Sequence, residues 1–113
     1  MASAIPLNTF KTTTFDVTTS DTTVYTTPAG VTTVVLLAQV ANILATSEVY
    51  VSASHLRNGT HTSIIKETII PVNDAVTLLT GKLILQTGDS FTVSAGENGR
   101  AQLILSYLET ANA

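Results

Sequence analysis

The sequence predicts an all-β domain: an antiparallel β-sandwich of about eight strands, jelly-roll-like or immunoglobulin-like. Three observations carry that reading. Eleven of the 21 threonines fall between Thr12 and Thr33, and they lead into the apolar block Val34-Val35-Leu36-Leu37-Ala38. β-Branched residues at this density suit a pleated, half-buried surface and make poor helices, because χ1 is restricted there. Turn signals then recur along the chain at the spacing of a sandwich or barrel, and no stretch of helical length holds an apolar stripe.

Residues 1–10 read as an N-terminal arm, because apolar and polar residues mix without period and Pro6 opposes regular structure. Residues 11–113 read as one sandwich domain, with strands expected at 11–17, 22–27, 32–42, 46–55, 61–70, 75–79, 82–86, 90–95 and 101–108. Thr27-Pro28-Ala29-Gly30 suits a type I turn, with Pro second and Gly fourth. Pro71-Val72-Asn73-Asp74 and Thr87-Gly88-Asp89 break the later connections.

The last two strands read as a hairpin. Phe91, Val93 and Ala95 alternate on one strand, and Ala101, Leu103 and Leu105 on the next. A two-residue turn would split these sets between faces. A three-residue loop, Glu97-Asn98-Gly99, pairs Ala95 with Ala101, Val93 with Leu103 and Phe91 with Leu105, and puts Gly99 at the left-handed position. Arg57-Asn58-Gly59 repeats the device between 46–55 and 61–70, where the apolar pattern leaves two- and three-residue loops both open.

Composition bounds the function. Charged residues are 12% of the chain, about half the usual share of roughly 25%. A surface so poor in charge is clad in hydroxyls or covered by other protein. The net charge is −3 and Lys11, Arg57, Lys66, Lys82 and Arg100 are scattered, so no basic stripe exists to neutralise phosphates. Nucleic acid is not an expected partner. The absence of cysteine excludes disulfides and thiolate chemistry. The first residues lack the charged region and long apolar core of a secretory signal, and no apolar run approaches the ~20 residues of a membrane helix. The expectation is a soluble chain with no membrane partner, retained where it is made unless it leaves within a larger particle.

Chemistry-bearing residues are few. His55 and His61 are the nitrogen ligand candidates; a three-residue loop at 57–59 makes them face each other, and a two-residue loop puts them on opposite faces. Two ligands fall short of the four of a structural zinc site, so an exposed polar pair near a hairpin tip is expected and no metal site is assigned. Asn58-Gly59-Thr60 matches a glycosylation sequon and also what a tight turn requires; the turn reading wins. The carboxylates Asp16, Asp21, Glu48, Glu67, Asp74, Asp89, Glu97 and Glu109 fall mostly at strand ends or in turns. No nucleophile signature or phosphate-cradling loop accompanies them, so no catalytic or cofactor-binding residue is assigned and an enzyme is not expected. Adjacent apolar residues in Ile64-Ile65, Ile69-Ile70, Leu103-Ile104-Leu105 and Val34 to Leu37 make strands apolar on both faces, which points to burial by a neighbouring subunit.

Ile5-Pro6-Leu7-Asn8-Thr9-Phe10-Lys11, the stretch from Val24 to Thr32, and Ala38-Gln39-Val40-Ala41-Asn42 resemble small virion proteins of tailed phages, especially marine and cyanobacterial T4-like myoviruses. So do Pro71-Val72-Asn73-Asp74-Ala75, Leu79-Thr80-Gly81-Lys82-Leu83 and the ending Leu105 to Thr110. The resemblance implies a bacteriophage virion structural protein, assembled in bacterial cytoplasm, and carries over no functional residue. The preferred expectation is a capsid decoration or cement protein on the head, contacting the major capsid protein and forming a homo-oligomer, a trimer first. A tail, collar or fibre component is the alternative, and a carbohydrate-binding module the distant one, disfavoured because Tyr25, Tyr50 and Tyr107 look dispersed.

Overall fold

The computed structural model describes residues 8–43 and 46–111, and among them it contains nine strands and no helix. They are β1 (Asn8–Val17), β2 (Thr22–Thr26), β3 (Val31–Asn42), β4 (Val49–Arg57), β5 (Thr60–Ile70), β6 (Ala75–Thr77), β7 (Leu83–Leu85), β8 (Ser90–Ala95) and β9 (Ala101–Ala111). The first sheet runs β1-β9-β3-β6, with β7 also paired to β3; the second runs β2-β8-β4-β5. All pairings are antiparallel.

This order is that of a jelly roll. Successive strands alternate between sheets except at β4–β5, joined as a hairpin of neighbours, and at β6–β7, which border β3 one after the other. An immunoglobulin-type order would keep the first two strands in one sheet; here they lie in different sheets.

The expected hairpin of the last two strands is therefore corrected. β8 pairs with β2 and β4, while β9 pairs with β1 and β3. Phe91 and Val93 do share the core with Ala101, Leu103 and Leu105, all of them fully buried. They meet across the sandwich instead of side by side. Alternation fixes which face of a strand is buried, and either arrangement satisfies it. Gly99 is left-handed as expected (φ 74°), but it turns an arch between sheets.

Two further expectations shift, and a choice the sequence left open is settled. Residues 8–10, read as arm, open β1, and the rest of the arm lies outside the described residues. The turn after β2 is displaced by one residue: Val31 N–H donates to Pro28 O at 3.3 Å, with Gly30 third and at φ 73°. That is type II geometry, in which a positive φ at the third position favours glycine. The β4–β5 loop has two residues, Asn58 (φ 52°) and Gly59 (φ 78°), between paired Arg57 and Thr60. This is the I′ turn whose twist matches a hairpin.

The core is aliphatic, built from residues such as Val35, Val40, Val51, Leu85, Leu103 and Leu105, with Phe91 as its largest fully buried side chain. Two irregularities shape the surface. A bulge in β3 between Val35 and Leu37 turns Leu36 outward, and β5 bulges at Glu67 (φ 52°), whose N–H donates to Ser52 Oγ at 2.8 Å.

Candidate functional site

Asp89 gathers the first polar cluster. It follows the turn after β7, and its side chain is 3% exposed. Arg57, from the end of β4, donates Nε to Oδ1 at 2.8 Å and Nη2 to Oδ2 at 2.5 Å. His55, two residues back on the same face, donates Nε2–H to Oδ2 at 3.0 Å, and the Gln86 N–H donates to Oδ2 at 2.9 Å. The Arg57 guanidinium holds the carboxyl well below the usual carboxylate range; burial opposes this, and the His55 and Gln86 donors assist. All its partners are the chain's own, so the cluster clamps the hairpin tip to the β7–β8 turn.

A second cluster ties the sheets together. Tyr25 of β2 donates its hydroxyl proton to Glu109 of β9 at 2.5 Å and lies 2.8 Å from Thr33 Oγ1 of β3. Lys11 of β1 closes the group, with Nζ 2.8 Å from the other Glu109 oxygen. The Lys11 ammonium and the Tyr25 hydroxyl hold Glu109 below its ordinary value against the effect of burial. Burial, then the Glu109 carboxylate, pushes Tyr25 well up. Tyr25 and Tyr107 stack with ring centroids 4.4 Å apart, tilted by 44°. The expectation of dispersed tyrosines is wrong for this pair, but the two rings lie inward and form no sugar platform.

The third constellation is a line of Ser, His and Asp that no local signal announces. On the outer face of the second sheet, His61 Nδ1 is 2.9 Å from Ser54 Oγ, and its Nε2 is 3.5 Å from Asp21 Oδ2. Asp21 and His61 are both about half exposed. At 3.5 Å a solvated carboxylate neither fixes the imidazole tautomer nor holds the ring as a catalytic triad requires. Ser54 Oγ is also engaged by Thr92 Oγ1 at 2.5 Å. A groove of about 280 Å³ runs beside it, lined by hydroxyls of Ser52, Ser54, Ser63 and Ser94. His55 and His61 thus lie on opposite faces, paired with Thr62 and Leu56 respectively. Among the described residues no group of three or more metal-ligating side chains forms.

The outer face of the first sheet is different in kind. Phe10, Leu108, Val34 and Ile84 are successive partners across β1, β9, β3 and β7, an apolar row four strands wide. The residues alternating with them, Tyr107, Val35 and Leu85, are buried inward, so this row points out. Phe10 is 74% exposed and Ile84 50%; Leu36 and Ile104, at 38% and 44%, widen the patch. The charged residues in the strands of this sheet are Lys11, Asp16 and Glu109. Lys11 and Glu109 alternate with the outward set and pair with each other, which leaves Asp16 as the one charged residue that the strands of this sheet point outward. The doubly apolar strands expected from sequence are seen here: Leu103 and Leu105 are buried while Ile104 is open, and the same holds for Ile70 and Ile69 in β5.

No family model matches the chain, and no curated protein matches it. Solved structures do. A chain from Bacillus endospore appendages, which form a family of disulfide-linked pili, is similar with a TM-score of 0.57 at 7% identity, over 100% of this chain and 99% of that one. The nucleoplasmin-like N-terminal domain of Drosophila FKBP39 is similar with a TM-score of 0.51 at 11% identity, over 98% of each chain. At those identities the likeness is one of fold: all three share a β-sandwich over nearly their whole length.

Proposed function

We propose that this chain is a non-enzymatic structural subunit of a larger particle, working by packing against copies of itself and against other subunits. The observation that carries the reading is the outer face of the first sheet, where Asp16 is the one charged residue that the described strands point outward, beside a row of half-buried Leu108 and Val34 flanked by exposed Phe10 and Ile84. A sheet face left to water is normally polar, and contiguous apolar surface of this kind marks interaction sites. The fold shared with a pilus-forming chain supports a subunit of an assembly. This chain has no cysteine, so its own contacts are non-covalent.

Within that reading the sequence resemblance favours a phage virion, and in it a decoration or cement protein seated on the major capsid protein. The runner-up is a tail, collar or fibre component, which the likeness to a pilus chain favours. The sequence reading expects a three-fold ring, and a mass measurement of the assembled chain tests it. A carbohydrate-binding role is disfavoured, since Tyr25 and Tyr107 stack inside the sandwich and leave Tyr50 as the exposed tyrosine.

Adding the purified chain to empty phage heads and to tails, with reconstruction of the decorated particle, tests the proposal. Density on the head lattice supports decoration, and density on the tail supports the runner-up. A stable monomer that binds neither sinks the assembly reading.

A further inference from the structure

We infer that β1 is an assembly edge, and that it pairs antiparallel with β1 of a second copy of this chain about a two-fold axis. The inference rests on the assembly reading above and names one contact within it, held by main-chain hydrogen bonds.

A sandwich of two open sheets has four edges, and an unpaired edge is a template for another strand. Three of the four are blunted here. β2 has five residues and a register shift between Thr23 and Tyr25. β6 and β7, which share the far edge of the first sheet, have three residues each. β5 is long but bulges twice, between Ser63 and Ile65 and between Ile65 and Thr68, with Lys66 and Glu67 in the second bulge. Bulges twist an edge away, and charges on it deter pairing.

β1 carries none of these devices. It is ten residues long, free of proline and glycine, and in unbroken register with β9 from Asn8↔Thr110 to Val17↔Ala101. Among the described residues β9 is its one bonded neighbour strand. Its cation, Lys11, is drawn to Glu109 on β9, away from the open edge. Four threonines and two phenylalanines make it a strong strand former.

The same comparison selects the occupant. Pairing along the whole of β1 needs a partner strand equally long and unbroken, and among the edges of this chain β1 alone qualifies. Its sequence accepts the arrangement. With the axis at Thr12, Thr12 faces its own copy, Lys11 faces Thr13, Phe10 faces Thr14, Thr9 faces Phe15 and Asn8 faces Asp16. Facing residues then share one side of the joined sheet, as the period of two requires. Threonine pairs are favourable across strands, the Asn8 amide can donate to the Asp16 carboxylate, and no like charges stand directly opposite. A strand edge buries less than the roughly 800 Å² per partner of a stable interface. Affinity comes instead from main-chain bonds, as in strand addition generally, so the free pair is weak and the particle's other contacts complete it.

Sedimentation equilibrium of the full chain up to about 1 mM tests this, comparing wild type with Thr12→Lys and with Thr62→Lys on the other long edge, β5. Both positions are exposed, so thermal melts should confirm that each variant folds. The expected result is an even-numbered species whose dissociation constant rises about fivefold or more in Thr12→Lys, less so at high salt, and stays within about twofold in Thr62→Lys. Consecutive residues point their N–H groups to opposite edges. One of Thr12→Pro and Thr13→Pro therefore removes a donor from the open edge, and the other removes a bond to β9. The one that melts nearer wild type should weaken pairing at least about tenfold. A wild-type monomer throughout, an odd-numbered species, or pairing indifferent to Thr12→Lys or to that proline variant overturns the inference. Equal sensitivity to Thr62→Lys does so too. Particle binding by a wild type that does not pair sinks this edge alone, whereas a wild type that does neither sinks the assembly reading as well.

Discussion

Tyr25 and Glu109 are hydrogen-bonded at 2.5 Å across the interior, from the second sheet to the first. Thr33, bonded to the Tyr25 hydroxyl, and Lys11, bonded to the carboxylate, lie on two further strands, so four strands meet in one cluster. A buried carboxylate is costly unless it is paired, and here both oxygens are engaged.

Tyr25→Phe keeps the ring against Tyr107 and removes only the donor. It should lower stability by about 1–3 kcal/mol, the cost of leaving a charged acceptor short of a bond. Urea unfolding at neutral pH measures it, and a change below the error of the fit would show that Lys11 alone satisfies Glu109.

Acid should weaken the protein through Asp89 and Glu109. Both carboxyls are held below their ordinary values of 3.8 and 4.5, Asp89 chiefly by Arg57 and Glu109 chiefly by Lys11. Below those ordinary values the unfolded chain binds protons that the folded chain does not. The stabilisation is therefore complete above them and is lost as pH falls toward the folded values. The thermal midpoint should stay level from pH 7 to about 5 and then decline. Asp89→Asn should lower the plateau and make the decline shallower; an unchanged slope would remove Asp89 from the account.

The hairpin tip offers a backbone test. Gly59 sits at φ 78° with open space where a Cβ would lie, so Gly59→Ala strains the backbone without a clash. A loss of about 1–2 kcal/mol is expected. Gly81 has neither a positive φ nor a neighbour within 4 Å, and Gly81→Ala should stay within about 0.5 kcal/mol. Equal effects at the two sites would contradict the I′ turn.

The Ser54–His61–Asp21 line should be inert. Wild type, Ser54→Ala and His61→Ala should hydrolyse an activated ester at one common background rate. A wild type clearly faster than both variants would end the non-enzymatic proposal.

Much of the fold is legible along the chain because its causes are local. Residues 90–95 are a strand as read, and β3 starts one residue earlier than expected, since β-branched alternation is a property of neighbours in sequence. Turns are placed by Pro, Gly and Asn, whose preferences act over four residues. The exposed second faces at Ile104 and Ile69 follow from adjacent apolar pairs in the same way.

Partners across space were not legible. Asp89 lies 32 residues from Arg57, and Tyr25 lies 84 from Glu109, so nothing near either residue announces the other. His61 faces Ser54 because the hairpin loop has two residues, a choice the weak apolar pattern around it could not make. The row from Phe10 to Ile84 exists only once four strands are in register.

By itself, then, the sequence determined an all-β sandwich, the approximate strands, the sites of the turns and the presence of strands apolar on both faces. The tertiary structure decided that β8 and β9 pack across the core and are not edge neighbours, and which side chains share a face. The physical reason is that a period of two records which side of a strand is buried. It carries no record of what lies beside the strand, and that is settled by how all nine strands close around one core.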